Sequence, residues 1–364
     1  MKNTINDVIK ELENWANPAY QEPYDNAGLQ IGNTNQELHK GLICLDVTPQ
    51  VFQEAIDKKA NLIISHHPLI FNPIKKISGK TAIEKIIIEA IKRDICIYAM
   101  HTNLDNIYNG VNHAFASALN LQDITILSPK EQQLKKIITF VPTHYCDSVR
   151  QALFDVGGGH IGNYNSCSYN QLGFGTFRAE SNAHPFVGVI GQLHQEEETK
   201  IEMVFPAFLQ ETMIQTLRQA HPYEEVAFDI INLANTNPYI GAGMIGHLSE
   251  CMDLDEFLTF LKQQLSLSVV KCTNYQAKKI KQVAICGGSG AFLIPTAINK
   301  HADIFISAEF KHNHFIDTQN QLILVDIGHY ESEIATKKLI FEKLIEKFSN
   351  FAISEQEINP VKYF

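Results

Sequence analysis

The chain has 364 residues, 45% hydrophobic and 19% charged, with thirty Lys and Arg against forty Asp and Glu. This length predicts two or three domains, and the composition excludes disordered, collagen-like and low-complexity chains. A net charge of −10 excludes the broad positive field that non-specific nucleic-acid binding needs.

At the N-terminus, Ile5, Val8, Ile9, Leu12 and Trp15 form a helical stripe rather than the unbroken apolar core of a signal peptide. Short β-branched runs follow at 41–48, 61–68 and 95–105, each ending in a polar break, with helical stretches at 48–59 and 81–94 between them. Runs apolar on both faces predict central strands of a covered, largely parallel sheet. The middle of the chain reads differently. It gives strand, helix, strand, strand, helix, strand at 135–142, 144–159, 165–177, 199–206, 208–222 and 224–233. That order is the ferredoxin-like split-βαβ motif. The first design then returns, with strands at 282–290, 303–314 and 322–333 and helices at 253–266 and 335–348. The predicted fold is α/β: a discontinuous α/β domain from residues 1–129 and 239–364, interrupted by an inserted α+β domain at 130–238. Seven scattered cysteines without a C-x-x-C, and no apolar run long enough to cross a membrane, predict a cytoplasmic protein.

Fifteen histidines stand out, several beside carboxylates. His66 and His67 follow one predicted strand, and His101 and Asp105 follow another. His329 and Glu333 follow a third, spaced i, i+4 so that a helix would turn both to one side. Each group alone reads as loop, turn or helix-start chemistry. Together they matter, because open α/β sheets bind ligands beyond the carboxyl ends of their strands. His66, His67, Asp105, His329 and Glu333 then form one set of three imidazoles and two carboxylates. Two carboxylates ~4 Å apart repel by about 4 kcal/mol at an effective dielectric of ~20, so one protonates or a cation intervenes. Five ligands suit two divalent cations, with Glu333 as the candidate bridge, and Zn, Fe, Mn or Ni all match the donors.

Other residues admit two readings. Gly287-Gly288-Ser289-Gly290 either cradles a phosphate with its amides or makes a tight strand-to-helix turn. Asp25 and Asn26 line the cavity or cap a local turn. His101 is expected to support Asp105 by hydrogen bonding. His101 or Glu309 is a candidate proton carrier.

The stretches at 24–30, 65–68, 101–105, 241–248, 308–314 and 328–333 resemble the NIF-three-like family of dinuclear-metal proteins, many named GTP cyclohydrolase 1 type 2 homologues. The segments 157–164 and 221–230 resemble the PII/CutA-type domain inserted in its longer members. The resemblance implies metal ligands at His66, His67, Asp105, His329 and Glu333, and a toroidal homohexamer with its metal sites facing an interior cavity. It also implies a nucleotide substrate, GTP, opened at C8 with release of formate. Two functions follow as expectations: a dinuclear-metal hydrolase acting on a nucleotide or other small molecule, or a metal-loaded hexameric binding protein with little turnover.

Overall fold

The computed structural model describes residues 3–274 and 278–363. The chain forms two compact units, one from Met1–Pro129 and Pro238–Phe364, the other from Lys130–Asn237.

In the first segment β1 (Gly28–Ile31), β2 (Gly41–Cys44), β3 (Leu62–Ser65), β4 (Cys96–Ala99) and β5 (Gln122–Pro129) alternate with helices, among them Ile5–Trp15, Pro49–Asp57 and Ala82–Lys92. Local chemistry sets where these helices start. Thr4 and Asp7 close a capping box, Thr48 caps the turn ahead of Pro49, and the Thr81 hydroxyl accepts from the Glu84 amide.

The second unit holds β6 (Leu134–Pro142), β7 (Tyr169–Arg178), β8 (Leu193–Pro206) and β9 (Phe228–Asn232), with helices Cys146–Asp155 and Gln210–Ala220. Its antiparallel sheet has the order β7-β8-β6-β9. Alternate residues of β6 and β8, Ile137, Val141, Ile201, Met203 and Phe205, turn inward onto Val149, Leu153, Met213 and Leu217 of the two helices.

The last segment returns to the first unit with β10 (Gly241–Asp253), β11 (Lys271–Cys272), β12 (Lys279–Ser289), β13 (Ile304–Ala308), β14 (Ile323–Asp326) and β15 (Phe351–Ile353). Where the sequence predicts one largely parallel sheet, two form. The first has the order β1-β4-β3-β2-β15 and is parallel except at β1. The second, β11-β14-β13-β12-β10-β5, is parallel only among β12, β13 and β14. Each half of the unit lends the other a strand: β5 pairs with β10 of the second sheet, and β15 pairs with β2 of the first. Both faces of the first sheet are covered. Ile43, Leu62, Ile64 and Tyr98 pack with Ile5, Val8, Leu12 and Ile340 on one side, while Leu42, Ile63 and Ile97 pack with Val51, Phe52, Ile86 and Ile87 on the other. That two-sided burial explains the unbroken apolar runs. It also leaves the carboxyl ends of the parallel strands as the places where polar side chains gather.

Candidate metal centre

Five strand ends supply the centre. Asp46 lies just beyond β2, His66 and His67 beyond β3, His101 beyond β4, Glu309 beyond β13 and His329 beyond β14. Asp105 ends the short helix Thr102–Asp105, and the helix His329–Glu333 places its two terminal residues on one side, as their spacing predicts. Glu333 is the hub. Its Oε1 lies 3.7 Å from His66 Nε2, which is 3.8 Å from Asp105 Oδ1. Its Oε2 lies 3.0 Å from His67 Nε2 and 3.1 Å from His329 Nε2. One carboxylate thus faces two donor pairs, one with each oxygen.

The outer nitrogens are fixed. Nδ1 of His66 is 2.8 Å from the Met100 carbonyl oxygen, Nδ1 of His67 is 2.9 Å from Asp46 Oδ1, and Nδ1 of His329 is 3.1 Å from Glu309 Oε1. Donation from each Nδ1–H turns the Nε2 edge of each ring toward Glu333, the second layer of support that metal-binding histidines use. His66 is fully buried and Glu333 is 3% exposed. His66 Nε2 and Asp105 Oδ1 are buried without a hydrogen-bond partner. Such groups cost free energy unless something satisfies them. Their 3.8 Å separation is too long for a hydrogen bond, yet it is spanned by two metal–ligand bonds of about 2.1 Å. His66, His67 and Glu333 also bring one ligand atom each within 4.8 Å of one another.

The electrostatics of the ion-free chain agree. Burial and the nearby Glu333 carboxylate push the Asp105 carboxyl well above the usual range. Burial acts the same way on Glu333, but its contacts with His329, His66 and His67 outweigh it and hold this carboxyl well below. Burial lowers His66. It also opposes protonation of His67, but Asp46 and Glu333 prevail and raise that imidazole to about 10. Hydrogen bonding to Glu333 raises His329 to about 9. Protons therefore occupy places where cations would compete with them.

The Duf34/NIF3 (NGG1p interacting factor 3) family profile matches residues 3–360. The chain is 39% identical over 342 residues to the GTP cyclohydrolase 1 type 2 homolog of Halalkalibacterium halodurans, covering 93% of this chain and 91% of that one. With the Bacillus subtilis protein of the same name the identity is 37% over 363 residues, or 98% and 97% of the two chains. The crystal structure of a Bacillus cereus protein related to NIF3 superposes with a TM-score of 0.84 at 37% identity, covering 100% of both chains. This chain belongs to the DUF34/NIF3 family.

Two details of this family member correct the sequence reading. The Gly287–Gly290 stretch is no phosphate cradle. Gly287 donates its amide to Asn112 Oδ1, Gly288 to Ser332 Oγ and Gly290 to Ser307 Oγ, so three of the four amides are already used. The other reading, a strand-to-helix turn, holds: the strand ends at Ser289 and Gly290 caps the helical turn Ala291–Leu293. Gly287, Gly288 and Ser289 belong to β12, where its register against β13 shifts. The glycines are there for space. A Cβ on Gly288, whose φ is +61°, would lie 2.3 Å from Glu333 Oε1.

His101 supports Asp105 through its backbone, whose carbonyl oxygen accepts the Asp105 amide at 3.2 Å, while its imidazole turns elsewhere. Its Nδ1 is 2.6 Å from Asp25 Oδ1, and Oδ2 of Asp25 accepts from both the amide and the hydroxyl of Thr102. Burial raises the Asp25 carboxyl, yet these contacts hold it at about 2. Asp105 is also positioned by Asn112, whose Nδ2 donates to the Asp105 carbonyl oxygen while its Oδ1 takes the Gly287 amide. Asp46 is the residue the sequence reading passed over. Its position at the end of the 41–48 run was the available signal. Glu309 does reach the centre, through His329, and adopts a left-handed φ of +60° that non-glycine residues seldom take.

Proposed function

We propose that this chain is a metal-dependent hydrolase whose centre holds two divalent cations, one among His66, Asp105 and Glu333 Oε1, the other among His67, His329 and Glu333 Oε2. The observation that carries this reading is Glu333, one buried carboxylate facing a separate donor pair with each oxygen. A bound pair of dications supplies water activated near neutral pH and stabilisation of developing negative charge. The chain's own residues do the rest. Met100, Asp46 and Glu309 fix the three imidazoles. Asp25 orients His101, which lines the same cavity and carries the proton away from the reacting water. Imidazole and carboxylate donors accept Zn, Fe, Mn or Ni, and supply selects among them.

The relatives' name points to a guanine nucleotide or its nucleoside as substrate and to opening of the guanine ring. In that chemistry one water opens the ring at C8 and a second releases formate. The test is formate release by the metal-loaded protein, with GTP and guanosine as alternative substrates. Activity that survives Asp105→Ala and Glu333→Ala unchanged would overturn the reading.

A second reading, a metal-loaded binding protein with little turnover, is favoured by one observation. The unit Lys130–Asn237 has a groove of about 770 Å³ lined by Phe174, Phe177, Phe186 and Tyr223. This unit is proposed as a PII/CutA-type ferredoxin-like insertion, and a homohexamer as the working assembly, which sedimentation would check. A ligand that raises the melting temperature while no product forms over hours supports the binding role.

A further inference from the structure

The metal centre opens into a cavity of about 400 Å³, a size that suits a small organic ligand. Among the described residues its lining contains no Lys or Arg, whereas Asp105 and Glu333 belong to it. Three more carboxylates stand one hydrogen bond behind: Asp25 on His101, Asp46 on His67 and Glu309 on His329. Five negative charges exceed the four positive charges of two dications, so the loaded site still repels anions. The glycine-rich stretch offers no cradle, because the amides of Gly287, Gly288 and Gly290 donate within the chain. A triphosphate would bring about four further negative charges to a wall that pairs none of them.

The same cavity is well equipped for a flat ring. Tyr24, Phe71 and Phe292 line it and remain 64%, 44% and 61% exposed, so the protein itself leaves much of these rings uncovered. Phe71 makes edge contacts with His101 and with Tyr24, with centroid separations of 6.1 and 6.5 Å. The loop bearing Tyr24 is tied to the loop bearing Phe71 by the Asn26 amide, which donates to the Ile70 carbonyl oxygen at 2.6 Å. An aromatic rim held in place beside a metal centre stacks a heterocycle without reading its charge.

We propose that the cavity of this family member selects an uncharged planar nitrogen heterocycle, at the level of a nucleoside or free base, and disfavours the corresponding triphosphate, with Phe71 as the central stacking residue. The proposal rests on the metal-centre reading for the position of the reacting atom, but the slot itself is built from the rim and the charge balance.

The full chain, both metal-loaded and stripped with a chelator, is titrated calorimetrically with guanosine, GTP and inorganic tripolyphosphate, and bound metal is measured in each sample. Guanosine is expected to bind at least about tenfold more tightly than GTP in both states, and tripolyphosphate is expected not to displace it. Phe71→Ala is expected to weaken guanosine binding by about tenfold with metal content unchanged, and Phe71→Tyr to preserve binding. Tighter binding of GTP than of guanosine, displacement by tripolyphosphate, or no guanosine binding by the metal-loaded chain overturns the slot, whatever the metal content. A chain that takes up no metal yet keeps the preference for guanosine overturns the hydrolase reading and leaves the slot standing.

Discussion

The two units treat histidine in opposite ways. In the first, the inner nitrogens of His67 and His329 meet Glu333, and their outer nitrogens meet Asp46 and Glu309. In the second, His221 is as buried as a core residue, but Nε2 lies 3.0 Å from the Phe140 carbonyl oxygen and Nδ1 accepts from the Tyr223 amide at 3.1 Å. Those partners fix one neutral tautomer and leave no lone pair. The second unit even has a histidine–carboxylate pair, His194 with Glu196 at 2.8 Å, yet among the described residues it gathers no third ligand. Histidine content therefore does not distinguish a metal centre from a fold. What distinguishes it is whether the second nitrogen is left for a cation, and whether other elements deliver donors to the same point.

The largest expected effect removes the hub. Glu333→Ala should lose both ions and the stabilisation they bring, about 4 kcal/mol for an ion at a thousand times its dissociation constant. His221→Gln in the second unit should leave metal content unchanged. Equal metal content in wild type and Glu333→Ala, by elemental analysis, would break the contrast.

The next effect is proton release. Without cations, His67 and His329 titrate at about 10 and about 9, and Asp105 is raised well above the usual carboxylate range. Both imidazoles therefore hold protons at pH 7, and loading should expel about two from them, more at acid pH where the raised Asp105 carboxyl is protonated as well. Metal affinity should rise with pH up to the higher of these values. Calorimetry in two buffers of different ionisation enthalpy measures the count, and Asp105→Asn should flatten its rise toward acid pH while leaving the ion-free chain no less stable, since a buried carboxyl that Glu333 repels is removed.

A smaller loss is expected from Gly288→Ala. The added methyl has no room beside Glu333 Oε1, and the backbone is left-handed there. Metal affinity should fall by about 10- to 100-fold, as for other supports of a metal site, read by competition with a chromophoric chelator.

The smallest effect belongs to the second unit. Burial lowers the His221 pKa, so its neutral form stabilises the fold above the unfolded value of about 6.5, and that contribution is lost as pH falls through the lower folded value. Protonation of Nδ1 costs the Tyr223 hydrogen bond, about 1 kcal/mol. The protection factor of the Tyr223 amide, its exchange rate relative to the unstructured rate at the same pH, should fall at acid pH in wild type and become flat with pH in His221→Gln.

Much of this was legible in the sequence. Helices over 48–59 and 81–94 follow from threonine caps and apolar spacing, and the i, i+4 step of His329 and Glu333 follows from helix geometry alone. The residue types needed for a cation could be named because each group stands at the end of an apolar run. These are local signals, carried within a few residues by backbone preference and side-chain spacing. Tertiary structure decided the rest. His67 and Glu333 are 266 residues apart, and only the packing of two separate sheets brings them to 3.0 Å. Asp46 and Asp25 gained their roles, and Gly288 changed from cradle to clearance, because those depend on which atom faces which across that junction. Spacing along a chain cannot encode such distances, since side-chain contacts between remote segments are set by how the covered faces of sheets and helices pack.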